Sequence, residues 1–159
     1  MEENLKLENQ LCFALYDAAR TVAAAYQAAL NRLGLTYTQF LALLVLWERD
    51  GITVSDLGAR LHLDSGTLSP LLKRLEALGL VERRRDSSDG RQVTVRLTAP
   101  GRELEPEAVR LQAGLRGALP LDDEELSALR ALARRFCEAA RTPQPAGTGN
   151  VSPDQKETA

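Results

Sequence analysis

The chain has 159 residues, 44% of them hydrophobic and 26% charged, with a formal net charge of −2. That length supports one domain with a real core, and no apolar run approaches the ~20 residues of a membrane-spanning helix. The polar, acidic start MEENLKLENQ lacks the basic and apolar regions of a secretory signal, so a cytoplasmic location with both cysteines reduced is expected.

The first helix is expected from about Leu7 to Leu33, because Leu11, Leu15, Ala18, Val22, Ala29 and Leu33 follow a helical period. Gly34 ends it. Thr36 and Gln39 stand at capping-box spacing. They open a second helix carrying Phe40, Leu43, Leu44 and Trp47, which stops at Asp50-Gly51. A short helix from Val54 to Leu61, capped by Thr53, is joined by HLDS to another from about Gly66 to Leu78, where Gly79 stops it. The period then changes from helical to alternating. LVERRR and RQVTVRLT read as two strands around the turn DSSDG. Thr98 caps a further helix with Pro100 in its first turn, and Pro106 is expected to kink or interrupt it. The last helix lies in LPLDDEELSALRALARRFCEAA, with Asp122 and Glu125 as its capping box and acids at its positive end. From Thr142 onward little can be buried, and residues 142–159 are expected to be a disordered tail. The order is ααααββαα, mainly α with a small β-hairpin.

Charge is uneven along this order. Ser65 to Arg96 holds seven basic residues against four acids, so that segment carries +3 and the rest −5. A basic face on an acidic scaffold points to nucleic acid. A short helix, a tight turn and a second helix make a helix-turn-helix. The second helix puts Leu68, Leu71, Leu72, Leu75 and Leu78 on its core face, while its first turn offers the small polar Ser65, Gly66, Thr67 and Ser69. Small side chains there allow close approach to base edges in the major groove. Lys73 and Arg74 lie further along, placed for phosphates. Pro70 lacks an N–H and is expected to bend the helix slightly. The hairpin forms a wing with Arg84 and Arg85 at its base. Arg91 at its tip is the candidate for the minor groove, and Asp89 could pair with an arginine to shape the loop. The single histidine, His62, falls in the turn of the helix-turn-helix, where capping or a phosphate contact suits it better than metal ligation. No metal-ligand spacing and no cofactor motif is found.

Cys12 poses a separate question. It stands in LCFALY, with Tyr16 one helical turn on, and reads either as a small buried hydrophobe or as a reactive thiol. On a helix beginning near Leu7, Cys12 lies beyond the first turn, where the helix dipole helps little. The nearest basic residue in sequence is Lys6.

TVSDLGARLHLDSGTLSPLLKRLEALGLVERRRDSSDGRQVTVRLTAPG resembles the winged helix-turn-helix of the MarR family, and the likeness runs from about residue 5 to 140. It implies an intertwined homodimer: residues 1–35 and 99–141 dimerise, and 36–98 form the DNA-binding domain. Each subunit offers one winged domain to half of an inverted-repeat operator, binding represses transcription, and an effector releases it. Within the family, LCFALY resembles the organic-hydroperoxide-sensing branch. There the early cysteine is the sensor, and two tyrosines of the partner subunit hydrogen-bond to it, at positions matching Tyr26 and Tyr37 here. Tyr16 also matches a tyrosine of that branch, so all three tyrosines of the chain fall on its pattern. Phe13 and Tyr16 then line the sensor site. Oxidation of Cys12 to a sulfenic acid, captured by a thiol, would release the operator. Some members resolve the sulfenate with a second cysteine, yet the matching region, Leu115 to Leu119, has none. Cys137 remains open: structural, with a low-molecular-weight thiol as the resolving partner, or brought near by a partner subunit. A repressor released by a small aromatic ligand, with Cys12 structural, is the alternative. Nothing supplies the turnover cycle of an enzyme.

Overall fold

The computed structural model describes residues 3–85 and 92–141. The expected wing turn, with Asp89 and Arg91, and the expected tail lie outside the described residues. The chain forms two compact units, Met1–Ala118 and Leu119–Ala159. In chain order the first holds α1 (Leu11–Leu30), α2 (Tyr37–Glu48), β1 (Ile52–Thr53), α3 (Val54–Leu61) and α4 (Ser65–Ala77). It continues with β2 (Val81–Arg85), β3 (Val93–Leu97), α5 (Ala99–Glu103) and α6 (Glu105–Gly117); the second unit contributes α7 (Asp123–Arg141). This is the mainly α winged helix-turn-helix expected, with differences at two points.

The first difference is where α1 begins. Residues Leu7–Asn9 form a separate 3-10 turn, and Gln10 is extended at φ −90, ψ 110. The side-chain amide of Gln10 donates to the carbonyls of Asn4 (2.6 Å) and Lys6 (3.1 Å), and that of Asn9 to the carbonyl of Glu3 (2.8 Å). These local bonds compete with the helical ladder. The helix therefore starts at Leu11, and Cys12 lies in its first turn rather than beyond it.

The second difference is β1. The two expected strands pair antiparallel from Val81↔Leu97 to Arg85↔Val93. A third strand joins on the other edge of β3, with Ile52↔Val95 and Thr53↔Thr94, giving the order β1-β3-β2. Two residues ahead of a helix carry no alternation to read, so this strand left no trace in the pattern.

The remaining boundaries follow from caps. α1 ends at Leu30, short of the expected Leu33, and tightens into a 3-10 turn, Asn31–Leu33, which Gly34 closes at φ 67, with Leu35 N donating back to Leu30 O. Thr36 and Gln39 form the expected capping box of α2, which satisfies the otherwise buried Gln39. Thr53 and Thr98 cap α3 and α5 as expected. Pro106 marks the expected break, since α5 ends at Glu103 and α6 restarts at Glu105. Asp122 and Glu125 exchange the expected bonds at the start of α7.

The core of the first unit surrounds α2, whose Phe40, Ala42, Leu43 and Leu46 are fully buried. Leu57 of α3, Leu72 and Leu75 of α4, and Val95 of β3 complete it, all equally buried. Gly101 is buried where α5 crosses the residue after the α4 cap: a Cβ there would sit 2.0 Å from the Leu80 carbonyl oxygen. Backbone cannot yield as a side chain does. Gly101→Ala should therefore destabilise the protein by about 2 kcal/mol or more, read as a lower urea midpoint at fixed protein concentration.

Candidate nucleic-acid interface and thiol site

The exposed face of α4 carries the groups expected to meet DNA. Ser65, Gly66, Thr67 and Ser69 are exposed, while Leu68, Leu71, Leu72 and Leu75 are turned inward; Leu78, expected on that inner face, lies past the helix end and is 46% exposed. Asp64, not singled out from the sequence, caps the helix. Its carboxylate accepts from Thr67 N (2.9 Å) and from the Thr67 hydroxyl (3.1 Å). These bonds hold the Asp64 carboxyl below the usual carboxylate range. They also commit the Thr67 hydrogen, leaving its lone pairs to accept from a base-edge donor. Pro70 sits inside α4 without ending it. Lys73 and Arg74 are exposed, and Arg74 borders a groove of about 250 Å³ shared with Thr36, Thr38 and Thr67.

A second groove, of about 660 Å³, runs between the start of α3, Ser69 of α4 and the hairpin at Arg83 and Gln92. One wall is fixed by an ion pair that sequence spacing did not disclose. Arg83 donates to the Glu76 carboxylate from its backbone N (3.1 Å), Nε (2.9 Å) and Nη2 (2.6 Å). The Arg83 hydrogen bond holds the Glu76 carboxyl low, and Glu76 in turn raises Arg83. Arg83 is thus a strut between α4 and the wing. Arg84 pairs with Glu82 at 2.7 Å, both well exposed, a weak contact. Arg84 and Arg85, neighbours on β2, project from opposite faces of the hairpin. His62 ends α3 with φ 54, its N–H donating to Ala59 O and Gly58 O. Among the described residues no group of three or more His, Cys, Asp or Glu side chains is placed to hold a metal ion.

The thiol and the tyrosines lie at opposite ends of α1. Cys12 is a free, exposed thiol. Phe13 and Tyr16 beside it are 39% and 59% exposed, and the Arg20 guanidinium lies over the Tyr16 ring at 5.4 Å. Tyr26 and Tyr37 come together, ring centroids 5.2 Å apart, with Phe40 5.8 Å from Tyr26. Burial, and secondarily Tyr26, raise the Tyr37 phenol above its ordinary value, so it stays an O–H donor at neutral pH. Gln27, a second residue the sequence did not disclose, fixes this corner: its amide donates to Leu35 O (3.0 Å) and accepts from Tyr37 N (3.0 Å). Fourteen residues separate Cys12 from Tyr26 on the helix, about 21 Å at ~1.5 Å per residue. The two do not meet within one chain.

Between those ends the helix is uncovered in the single chain. Leu11 and Val22 are 61% and 41% exposed. Between α1 and α6 opens a cleft of about 630 Å³, floored by Ala25, Ala28, Leu111 and Leu115 and edged by Arg32 and by Arg110 paired with Glu107 (3.6 Å). In the other unit, α7 shows an apolar stripe of Leu129, Leu132 and Phe136, and Cys137 is free and exposed.

The MarR family model matches residues 35–93, the stretch from the start of α2 to β3. The organic hydroperoxide resistance transcriptional regulator of Bacillus subtilis (strain 168) is 44% identical over 128 residues, covering 80% of this chain and 87% of that protein. The chain belongs to the MarR family. It is a transcriptional regulator of that family rather than an enzyme. The regulator MgrA of Staphylococcus aureus is 36% identical over 140 residues, 87% of this chain and 95% of that one. Among solved structures, reduced AbfR bound to DNA, a protein of Staphylococcus epidermidis, superposes with a TM-score of 0.76 at 35% identity. That likeness covers 87% of this chain and 95% of AbfR. Among the described residues no single helix is long and apolar enough to cross a membrane.

The Glu76–Arg83 strut has a checkable signature. Because its folded-state pKa is lowered, Glu76 contributes stability that is complete above the ordinary glutamate value of about 4.3 and fades as pH falls through the lower folded value. Glu76→Ala should cost about 1 kcal/mol at neutral pH, after discounting for partial exposure. The gap to wild type should close in acid, as measured by urea unfolding across pH.

Proposed function

We propose that this protein is a DNA-binding repressor that senses organic hydroperoxides through Cys12 and then leaves its operator. The observation that carries this reading is the division of α1. A thiol stands at one end, a tyrosine pair at the other, and uncovered apolar side chains lie between. Two copies packed along α1 in opposite directions bring the Cys12 of one chain to Tyr26 and Tyr37 of the other. The same packing covers Leu11, Phe13 and Val22. Residues 1–35 and 99–141 thus serve dimerisation and 36–98 serve DNA. The likeness to a hydroperoxide-resistance regulator and to a protein bound to DNA in its reduced form supports both halves of the reading.

The chemistry needs a thiolate, two neutral donors and a dry wall. The first intrahelical bond of α1 runs from Ala14 N to Gln10 O, so the amide N–H groups before it point out of the helix end and favour negative charge near Cys12. The phenols of Tyr26 and Tyr37 donate to sulfur without adding charge, and Phe13 and Tyr16 supply the apolar lining. The thiolate attacks the hydroperoxide: an S–O bond forms, the O–O bond breaks, and the alkoxide leaves as an alcohol after taking a proton. A low-molecular-weight thiol then displaces water from the sulfenic acid, giving a mixed disulfide; Cys137 is left structural. The larger sulfur adduct separates Cys12 from the tyrosines, and the paired winged domains lose their spacing on DNA.

On DNA, Ser65, Gly66, Thr67 and Ser69 read base edges, Lys73 and Arg74 hold phosphates, and Arg84, Arg85, Asp89 and Arg91 complete the contact set. The apolar-floored cleft between α1 and α6 favours a second reading, a repressor released by a small aromatic ligand with Cys12 structural.

Titrating cumene hydroperoxide into the reduced protein on the duplex upstream of its gene separates the two. Wild type should release and Cys12→Ser should stay bound; release of both, or of neither, favours the ligand reading. Tyr26→Phe and Tyr37→Phe should each slow peroxide release about tenfold, the worth of one hydrogen bond to a charged group. Lys73→Ala should weaken binding to all sequences and lower the salt slope of log affinity by about 1.

A further inference from the structure

The winged domain meets α5 and α6 at a joint built from four chain segments. Trp47, near the end of α2, donates its indole N–H to Gly101 O of α5 at 2.9 Å. Asp50, two residues past α2, accepts from Leu97 N at the end of β3 (2.8 Å) through Oδ1. Its Oδ2 accepts from Arg102 Nη2 of α5 (3.3 Å). The other arm of the same guanidinium, Nη1, donates to Leu97 O (2.9 Å). Leu97 is thus held at both N–H and C=O, and Arg102 spans strand and carboxylate in one planar fork.

The ion pair in this arrangement adds little stability. The side chains of Arg102 and Asp50 are 56% and 32% exposed, and exposed pairs contribute little. What the fork supplies is direction. It ties the end of β3, which forms the wing, to the helix that leads out of the winged domain. α6 has 13 residues, about 20 Å, so a swing of about 10° at its base moves its far end by roughly 3.5 Å. That displacement is close to one base-pair step of about 3.4 Å. Small errors at the joint therefore become whole steps at the DNA.

We propose that Asp50 and Arg102, backed by Trp47, are positioning residues that fix the angle between the winged domain and α5–α6, and so set the half-site spacing that the dimer accepts. This rests on the paired reading of an inverted repeat given above, and not on the redox role of Cys12. A dimer with a stiff joint rejects a duplex whose half-sites are moved apart, because one added base pair turns a half-site by roughly 35°. A dimer with a loose joint follows it.

The test uses the reduced full-length protein and an inverted-repeat duplex that it selects from a random pool. Affinity is measured for that duplex and for versions with one base pair added or removed at its centre. Wild type should discriminate by about tenfold or more, comparable to a mismatched base pair. In Arg102→Met, which alters an exposed side chain, discrimination should fall to about threefold or less, with the urea midpoint unchanged. Arg102→Lys, which restores charge but not the fork, should lie between, and Trp47→Phe should act in the same direction as Arg102→Met. If Arg102→Met and Trp47→Phe both keep wild-type discrimination, the joint does not set spacing and the proposal fails. If wild type itself ignores spacing, the paired reading fails and takes this one with it.

Discussion

The structure depends on the burial of α2. Most helices of a small protein bury one stripe and leave the rest in water. This one has Gln39, Phe40, Ala42, Leu43, Val45 and Leu46 all buried along twelve residues, so neighbours must cover nearly its whole circumference. Those neighbours are the end of α1, α3, α4 and β3. Its ends are consequently well placed to hold other things. Tyr37 organises the corner with α1 through Gln27, and Trp47 and Asp50 the corner with the wing and α5. Between them lies a rod about 18 Å long that cannot bend without opening the core.

α1 is the opposite case. Its end is anchored through Leu30, which is fully buried, and through Tyr26 against the core, with Leu33 just beyond it packed there too. Among the described residues its first half is mostly exposed, Leu11, Phe13 and Tyr16 included. An amphipathic helix that does not bury its apolar residues calls for a second surface. The break at Gln10 belongs to the same economy: it folds residues 3–10 back on themselves through the Asn9 and Gln10 amides. The helix end is thereby placed at Leu11, one residue before the thiol.

Most of this was legible because it is local. The capping boxes at Thr36 and Asp122, the caps at Thr53 and Thr98 and the break at Pro106 are decided by neighbours within four residues. So is the change of period at Leu80. What escaped was decided at a distance or by too few residues. β1 has two residues, and its pairing depends on Val95 across the fold. The start of α1 escaped because Leu7 and Leu11 keep the helical period across a backbone that does not. Glu76 and Arg83 are seven residues apart with a turn between them, a spacing neither helix nor strand makes meaningful. The tyrosine pattern singled out Tyr26 and Tyr37 together, and the fold stacks their rings; their distance from Cys12 along α1 follows from the helix rise alone.

The Glu76–Arg83 strut also bears on how such a sequence can drift. A change at one of the two positions leaves the other charge half-buried against a hairpin it no longer holds, and interacting positions of this kind do not vary independently. Arg84, next to it in the same arginine run, makes only a weak, exposed pair with Glu82. Among relatives of this chain, positions 76 and 83 should therefore be replaced as a pair, while 84 and 85 vary independently of them. Three consecutive arginines look alike on paper; inheritance should hold the first to its partner on α4 and leave the other two to vary alone.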